Sequence, residues 1–336
     1  MISATTERLL NRGSMMTART SMGLGLITIL LFPSMIASAA DDRAKPGGRA
    51  PDDVSYAKAI EKWRTERLEE INGEDGWTTL VGLFWLNEGR NKFGSDSSNE
   101  IVLSRSNVPK FAGSLRLDKG VVSLEAKSEA GITSDGKAAT TLVLQSDADG
   151  KPTVLTLGSL KLFVIKRGDK LGLRVKDKQS PARSHFAGLD YFPLELKWCL
   201  NARFEPYDPP KIISIVNVLG MVDNMTSPGA LVFEVNGITY RLDPVLEKGS
   251  TQLFIIFADK TTGKETYGAG RYLYADPPGA DGKVVVDFNR AHNPPCAFTK
   301  FATCPLPPRQ NRLAIRVDAG EKKYAGSVHS RGQYER

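Results

Sequence analysis

The side chains best suited to chemistry in this sequence are concentrated between Thr261 and Glu321. Three strings in this segment combine basic residues and acids or amides with glycine or proline: Glu265–Leu273, Asp287–Phe298 and Cys304–Leu313. Carboxylate and imidazole groups transfer protons, and guanidinium groups hold anions. The segment therefore predicts a polar functional site near the C-terminus.

Proton transfer near neutral pH favours a histidine, and the sequence contains only His185, His292 and His329. His329 lies in a polar tail, whereas His292 follows closely after Asp287. We therefore predict Asp287 and His292 as the catalytic residues of an enzyme, with His185 in reserve. The sequence has no Gly-x-Ser-x-Gly motif, so it does not indicate the usual serine-hydrolase elbow.

Arginines near these strings predict an anion site. Arg271 and Arg290 can jointly hold a carboxylate or phosphate, and Arg174 is a third candidate. The alternative is that each arginine simply pairs with a neighbouring acid. The glycines at 268 and 270 are not followed by a helix signal, so they predict a tight bend rather than a dinucleotide site. The remaining predicted ligand-binding residues are Glu265, Tyr267, Asn289, Asn293 and Asn311.

Cys296 and Cys304 lie in one loop bounded by prolines. In an oxidising compartment they predict a disulfide, which would stabilise the fold by about 2–3 kcal/mol. The competing hypothesis is a zinc site that adds His292 and Asp287 as ligands. The spacing lacks a paired Cys-x2-Cys, so the disulfide is preferred and no metal or other cofactor is predicted. Cys199 remains as an odd thiol, predicted to be buried in the core.

A structural role for the same strings stays open. If a strand that begins at Val284 continues, Asp287 and Asn289 face one way while Arg290 and His292 face the other. Both faces are then polar, which indicates a cleft or a hydrogen-bonded loop anchor. Polar residues that brace a proline-rich loop need partners as much as residues that bind a ligand do.

The sequence resembles the domain of unknown function 1684 family. The resemblance rests on Asp287–Phe298 and Cys304–Leu313, together with Trp77–Leu86 and Phe186–Leu189, and extends over the segment 63–322. It implies that the polar strings are a feature shared within the family. It implies no activity, cofactor or catalytic residue.

The elements that position these residues are mostly β-strands. Short alternating runs broken by Gly, Asp, Asn and Pro predict antiparallel sheets of the sandwich or barrel-like kind. The predicted strands are Ile101–Ser104, Val121–Ala126, Thr140–Gln145, Thr153–Leu157, Leu160–Lys166, Leu171–Lys176, Trp198–Phe204, Ile212–Val218, Leu231–Val235, Ile238–Leu242, Leu253–Ala258 and Val284–Phe288. Asn236-Gly237 between two of them predicts a hairpin with a type I′ turn.

One N-terminal helix completes a mainly β, β-rich α+β fold. It is predicted from Asp53 to Ile71 and ends at Asn72-Gly73. Its predicted buried stripe is Tyr56, Ile60, Trp63, Leu68 and Ile71. The following run, Trp77–Leu86, is predicted to be buried, with its tryptophans in the core rather than stacked on a ligand.

The first forty residues predict a signal peptide. Three arginines precede the apolar run 22–36, and Ala-Ser-Ala follows it. We therefore expect an exported protein, periplasmic or extracellular, without a transmembrane segment after cleavage. The rest is expected to divide into a flexible tether (41–52), a single composite β-rich domain (53–325) with a weak boundary near 181–193, and a polar tail (326–336).

The charge pattern excludes one class of partner. The formal net charge of the whole chain is +7, and its basic residues are scattered among acids rather than gathered into a stripe. This argues against nucleic-acid binding. We expect a small-molecule ligand with an anionic group, bound with possible hydrolase activity. The alternatives are a non-catalytic binding protein and a structural envelope module.

Overall fold

The structure, a computed structural model, describes residues 53–105 and 107–326. The predicted signal peptide and tether, and the tail beyond residue 326, lie outside the described residues. The predicted N-terminal helix is confirmed as α1 (Asp53–Asn72), and a single further turn of α-helix, α2, spans Pro181–Ser184. Neither helix is long and apolar enough to cross a membrane. The described residues belong to one compact unit.

β-Strands are the main secondary structure of the described chain, as predicted. The strands are β1 (Leu80–Trp85), β2 (Gly89–Gly94), β3 (Ile101–Val102), β4 (Gly113–Asp118), β5 (Val121–Ala126), β6 (Thr133–Ser134), β7 (Lys137–Ala138), β8 (Thr141–Leu144), β9 (Val154–Leu157), β10 (Leu160–Arg167), β11 (Lys170–Asp177), β12 (Cys199–Val216), β13 (Val222–Val235), β14 (Ile238–Leu242), β15 (Val245–Leu246), β16 (Leu253–Phe257), β17 (Arg271–Ala275) and β18 (Lys283–Asp287).

Two sheets, the N-terminal sheets, enclose one apolar core. The first has the strand order β1-β11-β10-β9-β6-β7 and the second β3-β2-β4-β5-β8, with antiparallel neighbours except the parallel pair β2 and β3. Phe93, Leu115 and Leu124 of the second sheet lie in one buried cluster with Leu162 and Leu173 of the first. Their alternation along each strand directs one face of each sheet inward.

A third sheet, the C-terminal sheet, has the order β17-β16-β15-β13-β12-β18, with β14 also paired to β13. Its strand β12 joins two strands that the sequence predicts separately, which corrects that prediction. Three prolines, at positions 206, 209 and 210, lie inside it, and its register with β13 shifts between Pro206 and Lys211. Because proline lacks a ladder donor, the shift is what lets one strand contain three of them.

The predicted hairpin is confirmed between β13 and β14. Val235 pairs with Ile238, and the two turn residues Asn236 and Gly237 have φ values of 53° and 76°. A type I′ turn requires positive φ at both central positions, which asparagine and glycine adopt most readily. The turn chemistry therefore sets the register of this edge of the C-terminal sheet.

Helix α1 buries Tyr56, Ile60 and Ile71 as predicted, but not Leu68, which is 44% exposed. Arg67 takes the inward position instead and is 4% exposed. Inward positions recur every three or four residues along a helix, and position 67 continues the series better than 68 does. The sequence pattern predicts that the apolar Leu68 is buried, but the neighbouring charged Arg67 is buried instead.

Arg67 is buried because all three of its nitrogens have acceptors. Its Nε contacts Glu321 Oε1 at 2.9 Å, Nη1 contacts Glu70 Oε2 at 2.7 Å, and Nη2 donates to the carbonyl of Asn293 at 2.7 Å. The Glu321 side chain is fully buried, and its second oxygen accepts the backbone N–H of Asn293 at 2.8 Å. A buried ion pair with this degree of hydrogen bonding holds α1 to the C-terminal part of the chain.

Gly320 is what allows the chain to place Glu321 there. Its φ is 76°, and a Cβ at this position would lie 2.2 Å from the carbonyl oxygen of Ala291. That oxygen accepts the backbone N–H of Glu321 at 2.7 Å. Only glycine combines the left-handed backbone with so close an approach.

We expect Glu321→Gln to lower the free energy of unfolding by about 3–5 kcal/mol, because it leaves Arg67 without its buried counter-charge. Urea denaturation measures the change. Glu70→Gln is the matched control, since Glu70 pairs with the same arginine but its side chain is 55% exposed. We expect it to cost about 1 kcal/mol or less. Equal losses in the two variants would contradict the anchoring role of Glu321.

Candidate functional site

A cavity of about 610 Å³ is formed by residues from helix α1, the N-terminal sheets and the C-terminal part of the chain. Helix α1 contributes Trp63, Glu66, Arg67 and Glu70. The N-terminal part contributes Trp77, Arg167 and Arg174. The C-terminal part contributes, among others, Tyr272, Tyr274, His292, Thr303 and Cys304. Glu66 and Glu70 are exposed, so the cavity reaches the surface on the helix side.

Arg174, on β11, is the unusual group in the wall. It is 6% exposed, its Nε is sealed from solvent without a partner, and it makes no hydrogen bond or ion pair with any described residue. Its guanidinium lies 5.6 Å from the ring centre of Trp77 and 6.0 Å from that of Phe163. Burial and the neighbouring Arg167 lower the pKa of Arg174 to about 10, which still leaves it cationic at neutral pH.

The neighbouring Arg167, by contrast, is already paired. Its Nη1 contacts Asp147 Oδ2 at 2.8 Å, and its Nε donates to Thr303 Oγ1 at 3.1 Å. Asp147 therefore bonds Arg167 directly and acts on Arg174 only through its charge, without a direct contact. This part of the wall thus contains one arginine paired directly with a carboxylate and one without a bonded partner.

Another part of the cavity wall is acidic and aromatic. Glu70 pairs with Arg67, and Glu247 accepts the hydroxyl of Tyr274 at 3.1 Å. The Tyr274 ring stacks on Phe254, with ring centres 4.8 Å apart. The described wall thus has arginines from the N-terminal sheets and glutamates from α1 and the C-terminal part of the chain.

His292 lies in the wall and is neutral. Its Nδ1 is 3.0 Å from the carbonyl oxygen of Arg290, so Nδ1 carries the proton and Nε2 is an acceptor. The ring stacks on Tyr274 at 6.0 Å and lies 6.1 Å from the Trp63 ring. Burial, followed by the charge of Arg67, lowers the pKa of His292 to about 3, although the hydrogen bond to Arg290 opposes the shift.

This pKa predicts an acid-sensitive step in stability. The pKa of His292 is about 3 in the folded state against an ordinary 6.5, so below pH 6.5 the unfolded chain binds more protons. Stability then falls with decreasing pH, by up to about 1.4 kcal/mol per pH unit. We expect His292→Gln to reduce this slope between pH 6.5 and 5.5, measured by urea denaturation at each pH. His185→Gln, which changes an exposed ring, is the control. An unchanged slope in His292→Gln would contradict the assignment.

Asp287 does not line the cavity but belongs to a separate buried network. Its Oδ1 accepts the hydroxyl of Tyr56 at 2.7 Å and the backbone N–H of Asn289 at 3.1 Å. The Asn289 side chain donates to Tyr56 at 2.9 Å and to the carbonyl of Glu195 at 2.9 Å. Arg290 Nε lies 3.4 Å from Asp287. This network ties the start of α1 to the end of β18, and His292 is not part of it.

Arg271 and Asn311, two of the predicted ligand-binding residues, are also committed within the protein. Arg271 is 1% exposed and donates to the carbonyls of Ala319 and Val317, with Asp259 Oδ1 at 3.3 Å from its Nη2. The side-chain amide of Asn311 donates to the carbonyls of residues 243 and 256 at 2.9 and 3.0 Å. Neither residue lines the cavity.

The remaining predicted residues also bond to other parts of the protein. The Asn293 side chain donates to Glu321 Oε2 at 2.9 Å, and the Tyr267 hydroxyl donates to the carbonyl of Cys296 at 2.9 Å. Glu265 pairs with Arg316 at 3.0 Å on the surface. Of the catalytic, ligand-binding and disulfide residues predicted from the sequence, the cavity wall contains His292 and Cys304. Arg174, the third candidate of the predicted anion clamp, is there as well.

The predicted disulfide is absent, which corrects that expectation. Cys296 and Cys304 are buried free thiols, and their sulfurs are not at bonding distance. The loop brings Cys304 Sγ to the backbone of Cys296 instead, where the N–H donates to it at 3.2 Å. Within residues 53–105 and 107–326, no three His, Cys, Asp or Glu residues come together as a metal site.

The network around Asp287 predicts a structural cost when it is cut. We expect Tyr56→Phe and Asp287→Asn each to lower the free energy of unfolding by about 1–2 kcal/mol, because each leaves a buried partner unsatisfied. The double variant should lose less than the sum, since both changes break one bond. Tyr240→Phe, whose hydroxyl has no partner among the described residues, should change stability by about 0.5 kcal/mol or less. Urea denaturation of the wild type and the four variants measures these changes, and strict additivity would contradict the direct coupling.

Helix α1 and two tryptophans contribute to the cavity in a way that the sequence does not predict. Trp63 is predicted in the buried stripe and Trp77 in the core, yet both line the cavity and are only partly buried. The available signal was the pattern Trp63-x3-Arg67, which places an aromatic and a cation one helical turn apart on the inward face. Recognising it requires knowing that position 67 faces inward.

Comparison with known proteins identifies the family. Residues 184–322 match the family described as protein of unknown function (DUF1684), and the chain belongs to it. The match confirms the resemblance for the C-terminal strings, whereas Trp77–Leu86, Arg174 and helix α1 precede the matched segment. No curated protein matches the chain.

Three solved structures are similar to parts of this chain, with low TM-scores. The solution structure of an uncharacterized protein from Haloarcula marismortui is 31% identical, with 42% of this chain and 78% of that chain covered, and a TM-score of 0.36. An FHA domain studied for phosphothreonine-dependent interactions is 20% identical, with 29% of this chain and 96% of that chain covered, and a TM-score of 0.20. The FhaA FHA domain, solved in complex with the intracellular domain of Rv3910, is also 20% identical, with 27% of this chain and 96% of that chain covered, and a TM-score of 0.20. At such TM-scores we transfer neither fold nor function.

Proposed function

We propose that this protein binds a small molecule through an anionic group, and that Arg174 in the cavity wall holds that group. The observation that carries the proposal is the absence of any hydrogen bond or ion pair from Arg174 to a described residue, although the side chain is 6% exposed. A buried charge without a partner costs several kcal/mol. A carboxylate or phosphate from a ligand would supply the missing partner.

The size and lining of the cavity support a small ligand with a flat or apolar body. Its volume of about 610 Å³ falls within the range of roughly 300–1,000 Å³ typical of small-molecule sites. Trp77 lies beside Arg174, and Trp63 and Tyr274 lie beside His292. Aromatic faces of this kind pack against planar groups, while the cation sets the orientation.

We favour binding over hydrolysis by Asp287 and His292. A general base works best with a pKa near the working pH, and the pKa of His292, at about 3, makes its imidazole a poor proton acceptor at neutral pH. Asp287 does not line the cavity. In this proposal His292 is a hydrogen-bond acceptor for the ligand through Nε2.

The signal-peptide pattern of residues 1–40 extends the proposal to location. We propose that the ligand is met outside the cytoplasm, in the periplasm or the medium. Fractionation of cells that express the full chain tests this part, and N-terminal sequencing of the exported protein locates the cleavage site.

The proposal predicts that anionic probes stabilise the protein through Arg174. We expect benzoate and phenyl phosphate to raise the melting temperature, and the isosteric neutral benzamide to have little effect. Arg174→Met should abolish the anion effect without lowering the stability of the ligand-free protein, because Arg174 has no internal bond to lose. Native mass spectrometry of the purified protein searches for the natural ligand in parallel.

Arg167→Met is the matched control. It also removes a cavity cation, but Arg167 is paired with Asp147, so we expect the ligand-free protein to lose about 1 kcal/mol or more. The proposal fails if no anion in a broad carboxylate and phosphate panel stabilises the wild type. It also fails if Arg174→Met responds to anions as the wild type does.

A further inference from the structure

Cys304 is the thiol of the cavity. Among the three described cysteines it alone lines the wall, and it is 5% exposed. Its backbone is fixed, because its carbonyl accepts the N–H of Val218 at 2.9 Å and the next-but-one residue, Leu306, donates to Val216 at 2.8 Å. The sulfur is therefore held at a defined place between the end of β12 and the cavity.

The sulfur of Cys304 is surrounded by donors. The backbone N–H of Cys296 points to it at 3.2 Å, and the Cys296 thiol also donates to it. Arg174, which makes no hydrogen bond or ion pair with a described residue, is close enough for its charge to act on the same sulfur. Backbone N–H groups and cations are the neighbours that stabilise a thiolate.

Burial by itself would raise the pKa of the Cys304 thiol. The hydrogen bonds from Cys296, together with Tyr272 and Arg174, outweigh that effect and hold the pKa below its ordinary value. Cys199 provides the contrast, since burial and the nearby Asp287 raise its pKa to about 11. The pKa values of the two thiols shift in opposite directions because Cys304 has donors and a cation around it, whereas Cys199 is near a carboxylate.

We propose that Cys304 is a nucleophilic thiolate and the site of covalent reaction with small electrophiles that carry a negative charge. In the reaction the sulfur forms a bond to the electrophilic carbon, and the bond from that carbon to its leaving group breaks. The leaving group departs with the electron pair, so no oxidant or reductant is needed. Arg174 holds the anionic group of the electrophile and directs its carbon toward Cys304, which rests on the anion site proposed above.

The test compares two alkylating probes that differ in charge. Iodoacetate carries a carboxylate and iodoacetamide its neutral amide, and both leave a stable thioether with release of iodide. The reduced full-length protein is treated with limiting amounts of each reagent at pH 7, and mass spectrometry of peptides follows the rates at Cys199, Cys296 and Cys304. Cys199 serves as the internal reference within the same sample.

We expect Cys304 to react first with both reagents. We also expect its ratio of iodoacetate to iodoacetamide rates to exceed that of Cys199 by about tenfold or more, because Arg174 near Cys304 has no bonded partner, whereas the arginine near Cys199, Arg290, is paired with Asp287. Lowering the pH from 9 to 7 should slow Cys199 far more than Cys304. Arg174→Met should reduce the ratio at Cys304 to that of Cys199, and Arg174→Lys, which keeps the charge, should retain part of it. Cys304→Ser removes the fast reaction.

Two results would overturn the inference: alkylation of Cys304 no faster than that of Cys199, or equal charge preference at the two thiols in the wild type. Both are read from the wild-type protein and do not depend on a variant folding. The outcome is separable from that of the proposed function. Anions that stabilise through Arg174 while Cys304 stays inert would remove this inference only. A Cys304 that prefers iodoacetate, in a protein that no reversible anion stabilises, would remove the ligand-binding proposal only.

Discussion

The buried ion pair between Arg67 and Glu321 is the interaction on which the site depends. It joins a residue in the middle of helix α1 to one near the C-terminal end of the described chain, at 2.9 Å, with both side chains almost completely buried. The helix also buries Tyr56, Ile60 and Ile71. Since the helix supplies one wall of the cavity, this pair helps to hold that wall in place.

Three buried arginines in this protein show how partners decide the role of a charge. Arg67 and Arg271 both have carboxylate and carbonyl acceptors, and their networks connect distant parts of the chain. Arg174 is buried to a similar degree but has neither. Satisfied buried charges are compatible with a purely structural role, whereas an unsatisfied one has a cost that the fold alone does not explain. This difference, rather than burial itself, separates the structural arginines from the candidate binding residue.

Much of the fold could be predicted from sequence because its signals are local. The Asn236-Gly237 turn and the period-two runs of β5, β9 and β10 need no knowledge of distant residues. Strand β2, Gly-Arg-Asn-Lys-Phe-Gly, escaped because its composition is poor in strand-forming side chains, and its partner β4 stabilises it. The residues of the cavity could not be predicted from the sequence for a related reason. Its polar strings were found, but most of their side chains hold loops together, and the choice between bracing and binding depends on contacts across more than a hundred residues of sequence.

The cavity is assembled from three stretches that are far apart along the chain. A molecule lodged there would touch the helix, a strand of the N-terminal sheets and the loop around Cys304 together, and so would act as a noncovalent cross-link among them. Binding would then slow amide hydrogen exchange along α1 and in strand β11, including at positions away from the cavity. Local opening of any one wall would first require the ligand to dissociate.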